Sequence, residues 1–257
     1  MTYTSVLTEV QGRVGIVRLN RPEARNAFNR ILLSEMFAAL EAFDRDPLIA
    51  SLVLTGDEKA FAAGADIKEM AEATPFEMIQ DERVEVFDRM RKIRKPVIAA
   101  VSGWALGGGC EVALSCDLIV ASEDAKFGQP EITIGVIPGA GGTQRLARLL
   151  GKHLAMEMVI NNRTLSAAEA YQFGMVNRLV PVGKCLEQAV ALAEEIAGRA
   201  PLAVRMGKDA VNAAYETTLT EGLAAERRNF HALFSTEDQK EGMIAFTEKR
   251  KPVWKGK

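Results

Sequence analysis

The chain has 257 residues, enough to bury a sizeable core as one large domain or one domain with a helical appendage. Hydrophobic residues make up 48% and charged residues 26%, and the formal net charge of −2 supplies no field that would concentrate nucleic acid or an anionic membrane. Three cysteines and two histidines are too few and too scattered for a disulfide framework or a zinc site, so Cys110, Cys116 and Cys185 suit a reducing compartment.

The opening Met1-Thr2-Tyr3-Thr4-Ser5-Val6 has neither a basic nor an apolar leader and runs into a strand-like segment. No apolar run approaches the ~20 residues needed to cross a bilayer. A cytoplasmic protein is therefore expected. Val14 to Leu19 reads as a strand stopped by Asn20-Arg21-Pro22, after which Leu33, Met36, Phe37, Leu40 and Phe43 recur at helical spacing as far as Asp46-Pro47. Ser51 to Gly56, Pro96 to Val101 and Asp117 to Ala121 are short buried-strand candidates. Strands separated by helices predict an α/β fold with largely parallel pairing. From Lys184 onward only helical patterns remain: Leu186 to Ala197, Leu202 to Ala214, Leu223 to Phe234 and Glu237 to Lys251. The chain therefore divides into residues 1–195 and a helical region, residues 196–257.

Three glycine-rich loops interrupt this pattern: Ala62 to Asp66, Gly107 to Glu111, and Gly139 to Thr143. Neither the P-loop nor the dinucleotide-binding spacing fits any of them, which excludes those phosphate cradles. Singly, each is equally well read as loop punctuation. The second follows a strand and opens an apolar helix, so its glycines place unpaired N–H groups where negative charge is favoured. Glu111, three residues past Gly108, projects near that face, either as a functional acid or as a partner of the helix dipole. Glu131 lies in the apolar run Phe127 to Val136, as a solvated edge residue or a buried acid, and a buried carboxylate is costly unless paired or used. Spacing alone does not bring the two glutamates together.

With these loops in this order, the sequence resembles the crotonase superfamily, and within it the enoyl-CoA hydratases. The resemblance runs from Leu19-Asn20-Arg21-Pro22 through Phe61 to Met70, Ala105 to Glu111, Gly128-Gln129-Pro130-Glu131 and Pro138 to Arg145, ending at Phe246 to Arg250. It implies a spiral of repeated ββα units and a C-terminal helical trimerisation region that covers the active site, with two trimers forming a homohexamer. It implies that the N–H groups of Ala65 and Gly108 bind the thioester oxygen while Glu111 and Glu131 hold the water between them. Gln129 and the Gly139 N–H are then partners that orient the glutamates.

By the same resemblance, coenzyme A enters as part of the acyl-CoA substrate, with no metal or redox cofactor. It lies along Arg25-Asn26-Ala27 and the segment Ala63, Ala65, Asp66, Ile67 and Lys68, with Gly108 and Gly139 at the acyl end. Phe246 and Lys249 reach its nucleotide from a neighbouring subunit, although Lys249 to Lys251 also reads as a solvated helix end. The expected reaction is syn addition of water to trans-2-enoyl-CoA giving the (3S)-3-hydroxyacyl product. An isomerase, a hydratase of aromatic or dicarboxylic enoyl-CoA, and a non-catalytic acyl-CoA or RNA binder are the competing readings. Ser102 and Trp104 stand where hydratases of this type show Asn and Tyr, which bears on acyl preference, as do Met70, Phe76, Met78 and Ile79.

Overall fold

A computed structural model describes residues 3–81 and 86–257 of the chain. Strands β1 (Val6–Gln11) and β2 (Val14–Leu19) form an antiparallel hairpin. Strand β2 then pairs in parallel with β3 (Ser51–Thr55), and the sheet continues through β5 (Val97–Val101), β7 (Leu118–Ser122) and β10 (Arg178–Val180), all parallel. A second sheet of four short strands has the order β4 (Ala60–Ala62), β6 (Trp104–Leu106), β8 (Lys126–Gly128) and β9 (Leu165–Ser166). Each of β3, β5 and β7 in the large sheet is followed within a few residues by β4, β6 or β8 in the small one. The chain therefore climbs in successive ββ steps, with the first two glycine loops leaving the ends of β4 and β6.

The central strands are apolar on both faces because both faces are covered, as parallel sheets require. Leu52, Leu54, Val97, Ala99 and Val101 face one cluster, with helix α1 (Arg30–Arg45) against them. Val53, Ile98, Ala100 and Val120 face the other, closed by Ala189, Val190, Leu192 and Ala193. This is the strand period of two resolved into two cores. Helix α1 is capped by Asn29, whose side chain accepts from Leu32 N, and it buries Leu32, Leu33, Met36, Phe37, Ala39 and Leu40 on one stripe. Fully burying one such Leu or Phe contributes about 1.5–3 kcal/mol.

Short helices α2 (Pro75–Gln80) and α3 (Gly108–Ser115) follow, then α4 (Gly142–Leu150), α5 (Lys152–Ile160) and α6 (Ala167–Gln172). Phe76 and Ile79 of α2 are exposed. Helix α7 (Cys185–Ala197) packs on the large sheet and so crosses the division expected at residue 195. Beyond it, α8 (Pro201–Ala213) and α9 (Leu219–Leu233) bury no residue fully, and α10 (Glu237–Thr247) closes the helical part.

The helix expected over Glu237 to Lys251 stops at Thr247, because Lys249 turns into the left-handed region and the chain folds back. Arg250 reaches Glu241 at 2.6 Å, and the amides of Lys255 and Gly256 donate to the Asp238 carboxylate. Among the described residues, no helix is long and apolar enough to cross a membrane.

Candidate active site

The first glycine loop is held by the segment that follows β2. Phe28 N donates to Gly64 O at 2.7 Å and Asp66 N to Phe28 O at 2.9 Å, a parallel bridge in which Ala65 turns its own N–H away from Phe28. Ala63 N donates to Arg25 O at 3.0 Å, so the two stretches expected to hold coenzyme A lie side by side. Two polar side chains maintain that pairing. Asn26 is fully buried; its Oδ1 accepts from Arg21 N, and its Nδ2 donates to Ala60 O at 3.0 Å. The Arg21 guanidinium donates to Ala27 O at 2.6 Å and meets the Asp66 carboxylate at 3.2 Å. Arg25 and Asn26 both adopt positive φ, and the clamp makes that turn possible. Ala65, Ile67 and Lys68 are left exposed beside it.

The second loop starts α3. Gly107 has φ 50 and ψ −126, a conformation glycine adopts freely, and its N–H donates to Gly128 O at 2.9 Å. Gly108 is then the first helical residue, with no earlier turn to accept its N–H. A β-carbon on Gly108 would lie 3.8 Å from Ala65 N, and one on Gly64 would lie 3.7 Å from Gly108 N. The two amide nitrogens are therefore neighbours, and neither donates to a backbone acceptor among the described residues. Phe28 and Phe87 stand edge to face 6.2 Å apart against Gly108 and give that corner an apolar wall.

One turn into α3, Glu111 is 3% exposed. Its Oε1 accepts from Ala140 N at 2.8 Å and Gly142 N at 2.7 Å, while Oε2 accepts no hydrogen bond from the described residues. Burial raises its pKa, and the two amides and the Arg145 charge oppose the rise. The amides that grip Glu111 are those of Ala140 and Gly142, and this corrects the expectation that Gly139 supplies one. Gly141 adopts φ 106, and the turn it makes aims the amides on either side of it at the same oxygen.

Glu131 lies at the start of the 3-10 helix Pro130–Ile134 and is half-buried. Its Oε1 packs against Gly107, where a β-carbon would be only 2.8 Å away. The fully buried Gln129, with its amide nitrogen turned toward Glu131 as the hydrogen bonding requires, donates to both carboxylate oxygens at 3.0 and 3.1 Å. Burial, joined by the negative charge of Glu111, pushes the Glu131 carboxyl up to about 7. The exposed Ile134, Val136 and Ile137 follow it, an apolar rim unusual for a surface loop.

The fold thus brings Glu111, Glu131, Gln129, Ala65 and Gly108 around the Gly107 turn. It does not bring Phe246 or Lys249 there. Both stay on the surface of the C-terminal region, Phe246 at 85% exposure, and neither bonds to the site segments among the described residues. Sequence reasoning placed Asn26 on the coenzyme A path and Arg145 in a family motif without giving either its role, and it did not reach Phe28 and Phe87; Asn20-Arg21-Pro22, read as a strand stop, was the nearest signal for the clamp. Chemically, the site has two N–H groups and one carboxylate oxygen left without a partner among the described residues, and a carboxyl whose pKa is near neutrality.

Residues 9–257 match the family model described as enoyl-CoA hydratase/isomerase. A probable enoyl-CoA hydratase of Rhizobium meliloti is 54% identical over 255 residues, covering 99% of each chain. A probable mitochondrial enoyl-CoA hydratase of Dictyostelium discoideum is 53% identical, covering 99% of this chain and 92% of its own. Among solved structures, the enoyl-CoA "hydrates" subunit I of Geobacillus kaustophilus superposes with a TM-score of 0.97 at 49% identity, covering 99% of both chains. On this fold, this site and these relatives, the chain belongs to the enoyl-CoA hydratase/isomerase family.

Proposed function

We propose that the protein is an enoyl-CoA hydratase whose two glutamates carry the water and its protons. The acyl thioester oxygen lies against Ala65 N and Gly108 N, where negative charge grows as the reaction proceeds. Glu111, ionised and fixed by two amides, takes a proton from a water through its open oxygen as that water's oxygen bonds to C3. The electron pair of the double bond moves toward the thioester oxygen, and Glu131 delivers its proton to C2. One water is consumed, and a 3-hydroxyacyl thioester results. The reverse reaction exchanges the two roles. Losing one oxyanion donor of this kind costs about 3–4 kcal/mol in the transition state.

The observation that carries this reading is the pair of carboxyls at the Gly107 turn. Burial raises both, but Glu111 is gripped by the amides of Ala140 and Gly142 and faces Arg145, which favour its ionised form, while the Glu131 carboxyl is raised to about 7. Hydration needs a base and an acid at once, whereas moving a double bond can be done by one group that takes and returns the same proton.

Coenzyme A runs from this site along Ala63 to Lys68 and Arg25 to Ala27, and the reaction uses no metal or redox cofactor. We also assign the assembly as a homohexamer built through α8–α10. Val211, Tyr215, Leu219, Phe230 and Phe234 leave these helices apolar and exposed in one chain, and neighbouring copies would cover them while bringing Phe246 and Lys249 to the nucleotide. Light scattering on the purified protein checks that assembly. The cytoplasmic location expected from the sequence goes with this reading and is checked by cell fractionation.

The activity itself is tested by product analysis. Incubation with a trans-2-enoyl-CoA is expected to yield a product heavier by one water, with the hydroxyl on C3. Conversion of a trans-3-enoyl-CoA to its trans-2 isomer without hydration of either would instead make the protein an isomerase.

A further inference from the structure

We propose that Arg145 is a positioning residue for the reaction, holding the loop that grips Glu111. The inference rests on Glu111 being the base of the proposed hydration. Arg145 lies on α4 and is half-buried. Its Nη1 donates to Ala140 O at 2.8 Å, while Ala140 N donates to Glu111 Oε1 at the same distance. Ala140 is thus held at both ends, by the arginine on one side and the carboxylate on the other. The guanidinium also lies over Gly141, so closely that a β-carbon there would collide with Nη1. Gly141 joins the two residues whose amides meet on Glu111, and its N-terminal neighbour is the one Arg145 anchors. Arg145 therefore sets the curvature that lets both N–H groups converge on one oxygen.

The charge adds a second effect. No ion pair joins Arg145 and Glu111 directly, so the arginine leaves the open Oε2 free for water while its field still favours the ionised carboxylate. Among the described residues, the other charged or titratable groups near this pair are Glu131 and Cys110 beside the glutamate, and Asp88, Arg91 and Cys116 beside the arginine. Arg91 pairs with Glu216 at 2.9 Å, and the Cys116 thiol is pushed up by burial and stays neutral. Among the described residues, Arg145 is the cation that acts on Glu111.

The test compares the whole enzyme with Arg145→Met, Arg145→Lys and Glu111→Gln, measuring kcat, KM and the pH profile of kcat/KM on crotonyl-CoA. Arg145→Met is expected to lower kcat about 10–100-fold with KM within about threefold, as for a misplaced catalytic group. Its acidic limb should move up by about one pH unit, since losing a nearby cation raises a carboxyl pKa. Arg145→Lys keeps the charge without the planar fork, so it should keep the wild-type acidic limb at an intermediate kcat. If Arg145→Met only lowers the melting temperature, with kcat per folded site and the acidic limb unmoved, the arginine is structural and the proposal fails. If Glu111→Gln retains wild-type kcat, the hydratase assignment of Glu111 fails instead, whatever Arg145 does.

Discussion

Replacing Gly107 by alanine tests the geometry around which the site is built. At φ 50 and ψ −126 an alanine costs about 1–3 kcal/mol in backbone strain. Taking about 2 kcal/mol, with each kcal/mol worth about 2–4 °C for a chain of this size, the melting temperature should fall by about 4–8 °C. The new methyl group would also lie 2.8 Å from Glu131 Oε1 and 3.4 Å from its carboxyl carbon. The carboxylate must retreat by roughly half an ångström to reach ordinary contact, straining its hydrogen bonds from Gln129. A displacement of that size in a catalytic group costs about tenfold, and a full ångström about a hundredfold.

Hydration kcat of Gly107→Ala is therefore expected to fall about 10–100-fold in protein that is still folded by circular dichroism at the assay temperature. Gly183→Ala is the control: its φ of 79 carries comparable strain, but no atom lies within 4 Å of the new methyl group. It should lose melting temperature and keep its kcat. A Gly107→Ala enzyme within twofold of the wild-type kcat, or an equal loss in both variants, would refute the argument that Glu131 works from its seat against Gly107.

Further outcomes follow from the same geometry. With Glu131 raised to about 7, hydration kcat/KM should fall as pH rises through that region. Dehydration must fall along the same limb, because the equilibrium takes up no net proton; a kcat/KM that stays flat through that region would show that the pair is not the proton store. The raised carboxyl also means that the folded protein holds a proton the unfolded chain has lost. Stability then drops as pH rises from 4.5 through about 7, and Glu131→Gln should recover about 1–2 kcal/mol at pH 8 after discounting for partial exposure and nothing below pH 4. Thermal melts across that range check the sign. Asn26→Ala should cost about 2–3 kcal/mol by stranding the Arg21 amide and Ala60 carbonyl, and should raise KM more than it lowers kcat, because the loop it holds lines the coenzyme A path.

Much of the fold is legible because its parts obey short-range rules. The stripe from Leu33 to Leu40 makes α1, and the runs at 51–56 and 96–101 make strands buried on two faces. Strands β4, β6 and β8 have three residues each, too few to show a period, so the second sheet follows only from the family resemblance. At the site, Gly108 and Glu111 belong to one helix turn and can be placed together from spacing. Glu131 cannot, since its position depends on the Gly107 turn packing against it. The roles of Arg145 and Asn26 are not legible, because each acts through a side chain that holds backbone groups, for which no local pattern exists. The amides of Ala140 and Gly142, rather than the Gly139 amide that the resemblance implies, meet Glu111 because the rotation of that loop is set by Gly141 and the arginine above it. The end of α10 was misplaced for a similar reason, as Lys249 and Arg250 continue a helical pattern while their tail bonds pull the chain away.

The most direct measurement is the loss of conjugated enoyl-thioester absorbance from crotonyl-CoA with the wild-type protein, Glu111→Gln and Glu131→Gln side by side. Fast hydration by the wild type is predicted, with each variant slower by about 10²–10⁴-fold while still binding the thioester. Hydration by either variant at close to the wild-type rate would contradict the two-glutamate account.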